Sequence, residues 1–499
     1  MIIGGGIIGA GVARDAALRG LDVALFEKDD FAQGTSSRST KLVHGGLRYL
    51  ENYDFRLVRE ALRERETLLD IASHLVYKSK FFFPVYEETR VSALTLRAGL
   101  TFYDLLAWGR GIGKHEFIGP EEAVESFPGL RTTGLKTIGT YFDCQMDDSR
   151  LVLSNVLDAR RQGAKVANYA RVEEVDRAPS GSAWKVEIYD KLHDDKFAVE
   201  AKKIINATGP WSDDVADDWR SGGARFLRPT KGAHLVLPPL GAEVAGFFPS
   251  IHDDRLFFVI PWEDRTLVGT TDTDFSGSPD ELTVNQQDRN YLLTNINNYL
   301  DRVEFTESDI LTEFAGLRPL YSTSRGEVDE FKVSRDHEIL IEEGSIYTII
   351  GGKYTTYRAM AEEALDLMET GTNSSTDVKK LPGAWEKDGQ RKKLKSILLS
   401  GYSLSEFQAE VLLNRYGSKA GEVMEKASRY PDFEEPVGGG EVPIKAQVYY
   451  SVTNEMSFRP EDVMRRRTGL FLRSDPDKEE IKGIINSLDP GELEVQRGD

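Results

Sequence analysis

The chain is poor in cysteine, in long apolar runs and in metal-binding clusters. Only one of its 499 residues is a cysteine, Cys144, so no intramolecular disulfide can form and nothing indicates an oxidising compartment. No apolar run approaches the roughly 18 residues that a membrane-spanning helix needs. His and Cys nowhere show metal-site spacing, and no nucleophile motif such as G-x-S-x-G is present, so we expect no catalytic metal.

Basic residues are also in deficit. The chain has 63 Lys and Arg against 82 Asp and Glu, a formal net charge of -19, which argues against nucleic acid as a partner. The same charge disfavours a membrane surface, except through a local basic patch. A chain of this length is too long to form one hydrophobic core, so we expect two or three domains. The sequence does not indicate the oligomeric state. We interpret Cys144 as a small, partly buried residue rather than a catalytic thiol.

The most informative stretch lies at the start of the chain. Gly4, Gly6 and Gly9 form G-x-G-x-x-G between an apolar run and a helix predicted from Ile7 to Arg19, and Glu27 follows a second predicted strand. In this pattern the glycines let a pyrophosphate approach a helix N-terminus, and the acidic residue holds a ribose hydroxyl. The fingerprint predicts a dinucleotide but does not distinguish FAD from NAD. The first strand is short, which suggests that a few residues are missing upstream.

Two later predicted strands end in similar small-residue turns, one at 207–209 and one that begins at Gly351. A nicotinamide dehydrogenase of the common kind keeps its binding half contiguous, whereas flavoprotein oxidases often interleave cofactor and substrate segments. The wide spacing of the three turns therefore favours FAD. The last turn opens a helix, whose N–H groups and the hydroxyls of Thr355 and Thr356 suit the electron-rich end of a flavin pyrimidine.

Several cations and two histidines accompany these turns. Guanidinium groups bind phosphate or carboxylate in a bidentate way. Any one such cation could equally make a structural hydrogen bond, but several together favour an anionic ligand. His44 precedes two glycines, and His234 would face a cavity if the second insertion forms its wall, although a lone strand histidine is more often structural. The cations in or beside glycine-marked segments are Arg48, Arg318, Arg335 and Lys353.

The order of predicted elements indicates an α/β fold with three parts. A Rossmann-like FAD-binding domain, predicted from residues 1–75, 140–225 and 313–370, is interleaved with a substrate (cap) domain that contains a β-sheet. The cap is predicted from residues 76–139 and 226–312, and a C-terminal helical domain from 385–499. Within the cap, the pattern from Ser92 to Trp108 predicts a largely buried helix. A further strand is predicted near Phe331 to Ser334.

A series of motifs then carries a specific resemblance. The block from Ser36 to Leu50 reads S-S-x-S-x-K-L-x-H-G-G-x-R-Y-L, which is close to diagnostic. The other motifs lie at 4–11, 207–211, 231–234, 269–273, 316–319 and 351–358. In this order they resemble the FAD-dependent glycerol-3-phosphate dehydrogenases over residues 1 to about 385. The C-terminal domain fits that family in position but is matched more loosely, and the short first strand departs from its pattern.

The resemblance implies a reaction and a location. The reaction is oxidation of sn-glycerol 3-phosphate to dihydroxyacetone phosphate, with the hydride passing to flavin N5 and the electrons to a quinone. The location is the cytoplasm, with the protein bound peripherally to the cytoplasmic face of the cell membrane. The residues that match the family's active site are Arg48, Tyr49, His234, Thr271, Arg318, Arg335 and Lys353.

Roles for these residues follow from the implied chemistry. Arg48 and Arg335 are assigned to the phosphate, with Tyr49 and Thr271 also binding substrate. His234 is assigned as the base because imidazole titrates near working pH. The catalytic cations, Arg318 and Lys353, would stabilise the developing alkoxide and the reduced flavin. Contacts to FAD are expected from Gly4, Gly6, Gly9, Glu27, Thr35, Ser36, Ser37, Lys41, Leu42, His44, Gly45, Gly46, Ala207, Thr208, Gly209, Gly352, Lys353, Thr355 and Thr356.

Three other functions compete with this one. A glycerol-3-phosphate oxidase would use the same site but pass electrons to oxygen and release peroxide. An amine or amino-acid oxidase of the wider fold would not need so many cations. A flavin-binding regulatory protein without turnover is disfavoured by four cations and a histidine beside glycine turns.

A membrane contact has weak local support in the segment Gln390 to Leu399. There basic residues precede an apolar group that includes Ile397 and Leu398. A domain helix with a solvated basic face explains this segment equally well.

Overall fold

A computed structural model describes residues 1–50, 53–107, 111–220, 224–253, 255–322, 336–472 and 478–488. These residues form a six-stranded sheet, a ten-stranded sheet, a small three-stranded sheet and a C-terminal group of helices. The predicted α/β class is confirmed. The predicted strand at 331–334 and Arg335 lie outside the described residues.

Strands are short in the first sheet and longer in the second. In chain order they are β1 (Ile2–Ile3), β2 (Ala24–Phe26), β3 (Leu42–Val43), β4 (Val76–Tyr86), β5 (Glu116–Ile118), β6 (Leu135–Met146), β7 (Lys165–Ala167), β8 (Ala170–Arg177), β9 (Trp184–Asp190), β10 (Asp195–Ala201), β11 (Ile204–Asn206), β12 (Leu227–Leu237), β13 (Ala245–Pro249), β14 (Leu256–Trp262), β15 (Arg265–Gly269), β16 (Thr273–Asp274), β17 (Thr312–Tyr321), β18 (His337–Glu342) and β19 (Ile346–Gly351).

Helices cover the first sheet and make up the C-terminal part. In chain order they are α1 (Ile7–Leu18), α2 (Phe55–Ile71), α3 (Ala93–Leu106), α4 (Pro120–Ser126), α5 (Asp148–Arg161), α6 (Ser212–Val215), α7 (Gln286–Asn298), α8 (Tyr357–Leu367), α9 (Gln390–Gly401), α10 (Glu406–Tyr416), α11 (Ala420–Ala427), α12 (Lys445–Asn454), α13 (Pro460–Asp462) and α14 (Lys478–Asn486). Within the described ranges no helix is long and apolar enough to cross a membrane.

The six-stranded sheet has the order β18-β19-β11-β1-β2-β7, and all its pairs are parallel except β18 with β19. Helix α1 packs against α5 and α8, and Val12, Val152 and Met360 join Leu25 and Ile205 of the sheet in one buried core. Parallel pairing brings the carboxyl ends of β1, β11 and β19 to the same edge. The three small-residue turns of the sequence therefore lie side by side.

The ten-stranded sheet has the order β16-β12-β15-β14-β13-β4-β6-β3, with β17 paired to β12 and β5 to β6. Alternate residues face opposite sides of each strand. Leu235 and Phe82 therefore belong to one apolar cluster, whereas Val236 and Phe81 belong to another. Apolar clusters thus cover both faces of this sheet.

Three strands that lie in the predicted FAD-binding segments pair in the ten-stranded sheet and not in the six-stranded sheet. The predicted FAD-binding segments contain β3, most of β6 and nearly all of β17. The structure instead pairs these strands in the ten-stranded sheet, where Thr312–Tyr321 runs antiparallel to β12. Apolar patterning reports that a strand exists, but it does not report which neighbour the strand will pair with.

Helix α3 corrects the prediction of a largely buried segment. It buries Leu96, Leu100 and Tyr103 on one face, whereas Leu94 is 78% exposed and Leu105 is 52% exposed. Its sequence is apolar on both faces, so periodicity could not show that one of them stays uncovered. Trp108, the predicted end of this helix, lies outside the described residues.

Cys144 lies on β6 and is fully buried rather than partly buried. Burial raises the pKa of its thiol far above the ordinary value. A thiol that stays protonated is a poor nucleophile, which agrees with a structural residue.

The C-terminal helical domain, α9 to α14, has its own core, and the predicted domain is confirmed. It docks on the rest of the protein through a buried ion cluster. Asp30 Oδ1 and Oδ2 each lie 2.8 Å from a terminal nitrogen of Arg467, and Oδ2 also accepts from Arg466 Nε. Burial alone would raise the pKa of the Asp30 carboxyl, but Arg467 and Arg466 outweigh it and hold the pKa below its usual range.

Replacing Asp30 by Asn should destabilise the protein by about 3 kcal/mol or more, because it leaves the buried Arg467 guanidinium without its carboxylate partner and Arg466 with Asp462 alone. Urea unfolding of the FAD-loaded protein measures the change. Asp217→Asn is the matched control, since Asp217 pairs with Arg225 at the surface and such pairs contribute below about 1 kcal/mol. Because the pKa of Asp30 is lowered, its contribution should be present above pH about 4 and be lost below it. Equal effects of the two substitutions would contradict the docking role.

Candidate active site

A cavity of about 590 Å³ lies between the carboxyl edge of the six-stranded sheet and one side of the ten-stranded sheet. From the first sheet and its loops it is lined by Gly4, Gly6, Glu27, Thr35, Ser36, Ala207, Thr208, Gly209, Gly352 and Lys353. From the second sheet and its loops it is lined by Leu42, His44, Tyr49, His234, Phe258 and Arg318. Most of the predicted site residues therefore share one cavity.

Close approach of backbones explains the first glycine motif. Gly4 has φ of +102°, in the left-handed region, and a Cβ there would lie 2.7 Å from the Ala207 carbonyl oxygen. A Cβ at Gly9 would lie 1.9 Å from the carbonyl oxygen of Gly4, so Gly9 serves packing and does not line the cavity. The first N–H of α1, at Ile7, donates to Ser36 Oγ at 2.9 Å. The start of the helix thus faces the cavity, as an anion site requires.

Glu27 lines the cavity at the end of β2. Its Oε2 accepts from the Gly5 N–H at 2.6 Å, and its Oε1 accepts from the Asp29 N–H at 2.9 Å. Burial raises the pKa of the Glu27 carboxyl, while the N–H groups of Asp29 and Gly5 favour its charged form. A fixed carboxylate at this position suits a ribose hydroxyl.

Arg318 on β17 is held by the loop at 270–272. Its Nη1 donates to Asp272 Oδ1 at 2.9 Å, and its Nη2 donates to Thr270 Oγ1 and to the Thr271 carbonyl oxygen, both at 3.1 Å. Gly232 leaves room for this guanidinium, since a Cβ there would lie 2.6 Å from Nη2. The structure thus gives a physical reason for a glycine in the motif at 231–234.

His234 on β12 is 2% exposed, and its ring stacks on Phe314 with the centroids 4.9 Å apart. Its Nε2 is hydrogen-bonded to Thr40 Oγ1 at 2.9 Å. Burial, and then the charges of Arg318 and Lys41, lower its pKa to about 3. The expectation that this imidazole titrates near working pH is therefore wrong for the ligand-free protein, in which the ring is neutral.

Lys353 and Tyr49 contact each other across the cavity wall, with Lys353 Nζ 3.5 Å from the centre of the Tyr49 ring. Arg48 precedes Tyr49 in the short turn Leu47–Leu50 and does not line the cavity. Arg335 lies outside the described residues, so its predicted contact with phosphate remains a prediction.

Thr271 is placed differently from its predicted role in substrate binding. Its hydroxyl donates to Asp288 Oδ1 at 3.2 Å and accepts from the Ala233 N–H at 2.9 Å. Thr271 lines a second cavity rather than the first. The carbonyl oxygen of Thr271, not its hydroxyl, connects it to the site.

Several predicted FAD contacts instead anchor loops. Lys41 Nζ pairs with Asp148 Oδ1 at 2.6 Å, and the Gly45 N–H donates to Asp143 Oδ1 at 3.2 Å. Thr355 Oγ1 accepts from the His44 N–H at 3.3 Å. The predicted contacts that do not line the cavity are Gly9, Ser37, Lys41, Gly45, Gly46, Thr355 and Thr356.

Sequence reasoning missed two functional candidates that lie inside quoted motifs. Thr40 orients His234 and lines the cavity, and Asp272 binds Arg318. Both are polar residues at motif positions, which is a usable signal, but only their partners show what they do. Phe258 and Trp211 also line the cavity; Trp211 ends the motif at 207–211, but no sequence pattern distinguished Phe258 from a core residue.

The cavity fits FAD on the geometry of its own residues. Gly4, Gly6 and the first residue of α1 line it without a bulky side chain at either glycine, and Glu27 supplies a fixed carboxylate for a ribose hydroxyl. The wall formed by the second sheet supplies cationic and imidazole groups, from Arg318 and His234.

Comparison with known families agrees with this fit. Residues 1–356 match the family described as FAD dependent oxidoreductase. Residues 374–490 match the C-terminal domain of alpha-glycerophosphate oxidase. The first match covers more than half of the chain, so FAD is its cofactor.

Individual relatives narrow the family. A glycerol-3-phosphate dehydrogenase from Synechocystis sp. is 35% identical, with 98% of this chain and 92% of that protein covered. The solved structure of the glycerol-3-phosphate dehydrogenase from Bacillus halodurans, complexed with FAD, is 29% identical with a TM-score of 0.77, and covers 100% of this chain and 94% of that one. L-alpha-glycerophosphate oxidase from Mycoplasma pneumoniae, at 19% identity, a TM-score of 0.56 and coverage of 74% and 94%, shows the fold alone. The chain belongs to the family of FAD-dependent glycerol-3-phosphate dehydrogenases.

Proposed function

We propose that this protein oxidises sn-glycerol 3-phosphate to dihydroxyacetone phosphate. One observation carries the proposal: the Arg318 guanidinium, held by the loop at 270–272, and the buried imidazole of His234 line the same cavity that fits FAD. FAD, when bound, supplies the acceptor for the hydride at its N5 atom. The names of the relatives at about 35% identity support the substrate.

Residues at the carboxyl edge of the six-stranded sheet bind the cofactor in this proposal. The start of α1 and Ser36 suit the pyrophosphate, and Glu27 suits a ribose. The turns at 207–209 and 351–353 continue the same wall of the cavity. These contacts fix the cofactor without using any of the residues assigned to the substrate except Lys353.

Binding of the substrate needs fixed positive charge, because its phosphate is a dianion. Arg318 is preorganised by three acceptors from one loop, so little side-chain entropy is lost when it binds an oxygen of the ligand. Lys353 adds a second cation above Tyr49. On the family resemblance we assign the phosphate itself to Arg335 and to Arg48, which precedes the cavity-lining Tyr49 although it does not line the cavity itself.

His234 is the proposed base for the hydroxyl proton. Its low pKa arises from burial and from two cations, and a bound dianion would oppose both cations and raise the pKa. The base would thus gain strength when the substrate arrives. Thr40 fixes the orientation of the ring through Nε2, and Arg318 stabilises the negative charge that develops as the proton leaves.

We infer that the electrons pass to a quinone and that the protein binds peripherally at the cytoplasmic face of the membrane. The segment at 390–399 offers little support, because Leu398 is buried in the core of the helical domain and Lys395 pairs with Glu410 at 2.8 Å. A better candidate is an exposed apolar group on α3 and at the start of α2. This apolar α3 surface consists of Tyr53 (78% exposed), Phe55 (40%), Leu94 (78%) and Leu105 (52%).

Position makes the apolar α3 surface suitable for this role. The turn Leu47–Leu50, which carries Tyr49 into the cavity wall, contacts both α2 and α3. A quinone is dissolved in the bilayer, so a site that delivers electrons to it must lie near the membrane. Exposed aromatic and aliphatic side chains can enter the headgroup region, and Arg97, exposed on the same helix, can meet anionic lipids.

Replacing Arg318 by Ala should slow flavin reduction by glycerol 3-phosphate on the order of 100-fold or more, because one preorganised charge donor is lost. FAD should stay bound, since the assigned cofactor contacts are unchanged. Anaerobic stopped-flow absorbance measures the rate, and the spectrum measures FAD content. Arg228→Ala, on β12 and paired with Asp274 at the surface, is the control and should reduce normally. Loss of FAD or a normal rate in Arg318→Ala would refute the assignment.

Replacing His234 by Gln should slow reduction by about 100-fold to 10,000-fold, the usual contribution of a general base. The pH profile of kcat/KM should show no inflection between about pH 5 and 8 that belongs to His234, because protonation of the free enzyme's imidazole occurs only near pH 3. An inflection that comes from the substrate phosphate appears in the profiles of both the unsubstituted enzyme and His234→Gln, so comparing the two identifies it. An inflection near neutrality that disappears in His234→Gln would show that the ring titrates there.

Replacing both Leu94 and Leu105 by Glu should abolish sedimentation with anionic vesicles while anaerobic reduction by substrate stays normal. The reason is that two carboxylates would have to enter the headgroup region. Ile397→Glu, at a half-exposed position on α9, is the matched control and should bind vesicles normally. The opposite result would move the membrane contact to α9. Fast peroxide release with neither quinone reduction nor vesicle binding would instead favour the oxidase.

A further inference from the structure

The network behind Arg318 reaches a buried ion pair on the opposite side of β12. Successive residues of a β-strand face opposite sides of the sheet. On β12, Gly232 and His234 face the site, whereas Lys231 and Ala233 face the other side. Lys231 is 6% exposed, and its Nζ lies 2.6 Å from Asp288 Oδ2. This pair lines a separate cavity of about 470 Å³, and the proposed chemistry makes no use of it.

Asp288 is fixed by several groups at once. It is the third residue of α7, where its N–H donates to Asn285 Oδ1 and its Oδ2 accepts from the Asn285 N–H, both at 3.0 Å. A carboxylate at a helix N-terminus is stabilised by the helix dipole and by the capping contacts. With Lys231 also bound, its Oδ1 is held rigidly toward Thr271.

Thr271 joins this pair to the site. Its hydroxyl donates to Asp288 Oδ1 at 3.2 Å and accepts from the Ala233 N–H, so its one donor and one of its two acceptor positions are used behind the site. Its carbonyl oxygen accepts from Arg318 Nη2, and its neighbours Thr270 and Asp272 supply two more acceptors, with a longer contact of 3.5 Å to Thr230 Oγ1 on β12. The loop at 270–272 is therefore clamped from behind and holds Arg318 in front.

We propose that Lys231, Asp288 and the Thr271 hydroxyl form a positioning relay for Arg318, which sets the rate of substrate oxidation although none of the three groups touches substrate or cofactor. The inference rests on the proposed role of Arg318. Displacing a positioned charge by about 1 Å can lower the rate on the order of 100-fold. We expect the loop at 270–272, once its hydrogen bond to Asp288 is removed, to shift Arg318 by a distance of this order.

Thr271→Val removes the hydroxyl while keeping the shape of the side chain, so it is the principal test. It should lower the limiting rate of anaerobic flavin reduction by about tenfold to 100-fold with a much smaller change in substrate affinity, because a contact that strengthens in the transition state is displaced. Thr271→Ser, which restores the hydroxyl, should recover most of the rate. Thr273→Val, two residues along, is the matched control and should leave the rate unchanged.

A double-substitution cycle separates positioning from general damage. In the Arg318→Ala background, Thr271→Val should change the residual reduction rate by less than about twofold, because the relay then has nothing to position. Asp288→Asn, which keeps the size of the side chain but weakens the pair with Lys231, should give a smaller loss of the same kind. FAD content and thermal unfolding of every variant are measured alongside.

Each outcome assigns the failure to one proposal. If Arg318→Ala reduces at the normal rate, the proposed function of Arg318 fails. If Arg318→Ala is slow but Thr271→Val matches Thr273→Val, the relay alone is refuted. Equal fold-losses from Thr271→Val with and without Arg318 would likewise refute the relay, because Thr271 would then act independently of Arg318.

Discussion

Parallel pairing of β19, β11 and β1 is the constraint on which the rest of the site depends. It places the ends of these three strands at one edge of the sheet, although β11 and β19 end about 200 and about 350 residues after β1 in the chain. The turns after β1 and β11 lie this close because Gly4 has no Cβ to strike the Ala207 backbone, and α1 lies close to the first turn because Gly9 has no Cβ to strike the Gly4 carbonyl. A side chain at Gly4 would separate the two turns, and one at Gly9 would push α1 away from the turn after β1.

Glycines also allow close packing in the opposite wall of the cavity, which the ten-stranded sheet forms. Gly232 leaves space for the Arg318 guanidinium, and Gly269 leaves space for the His234 ring, since a Cβ at Gly269 would lie 2.2 Å from the imidazole Cδ2. A cation and a buried imidazole thereby line the same cavity. Burial, and then the charges of Arg318 and Lys41, lower the pKa of the imidazole and keep it neutral, which is the state that a proton acceptor needs.

The glycine motifs, the wide spacing of the small-residue turns and the family resemblance were enough to predict the fold class and the cofactor from sequence, and most of the predicted site residues line the cavity. What failed was the direction of individual side chains. Lys41 and Thr271 lie in motifs that surround the site, but their polar groups bond to Asp148 and Asp288, which are more than 100 residues and 17 residues away in the chain. A motif records that a position is constrained without recording which partner constrains it. The exposed face of α3 and the low pKa of His234 were missed because both depend on what packs nearby in three dimensions.

The Asp30 cluster joins the helical domain to the loop that lines the cavity. Asp30 comes three residues after Glu27 and five before Thr35, and both of these residues line the cavity. A segment that is tied at its centre to Arg466 and Arg467 cannot move freely at its ends. We therefore expect retention of the cofactor and attachment of the helical domain to be thermodynamically linked, and such a linkage is reciprocal. None of the described residues of the helical domain lines the cavity, so its expected effect on the dinucleotide site is to restrain the segment between Glu27 and Thr35 from outside.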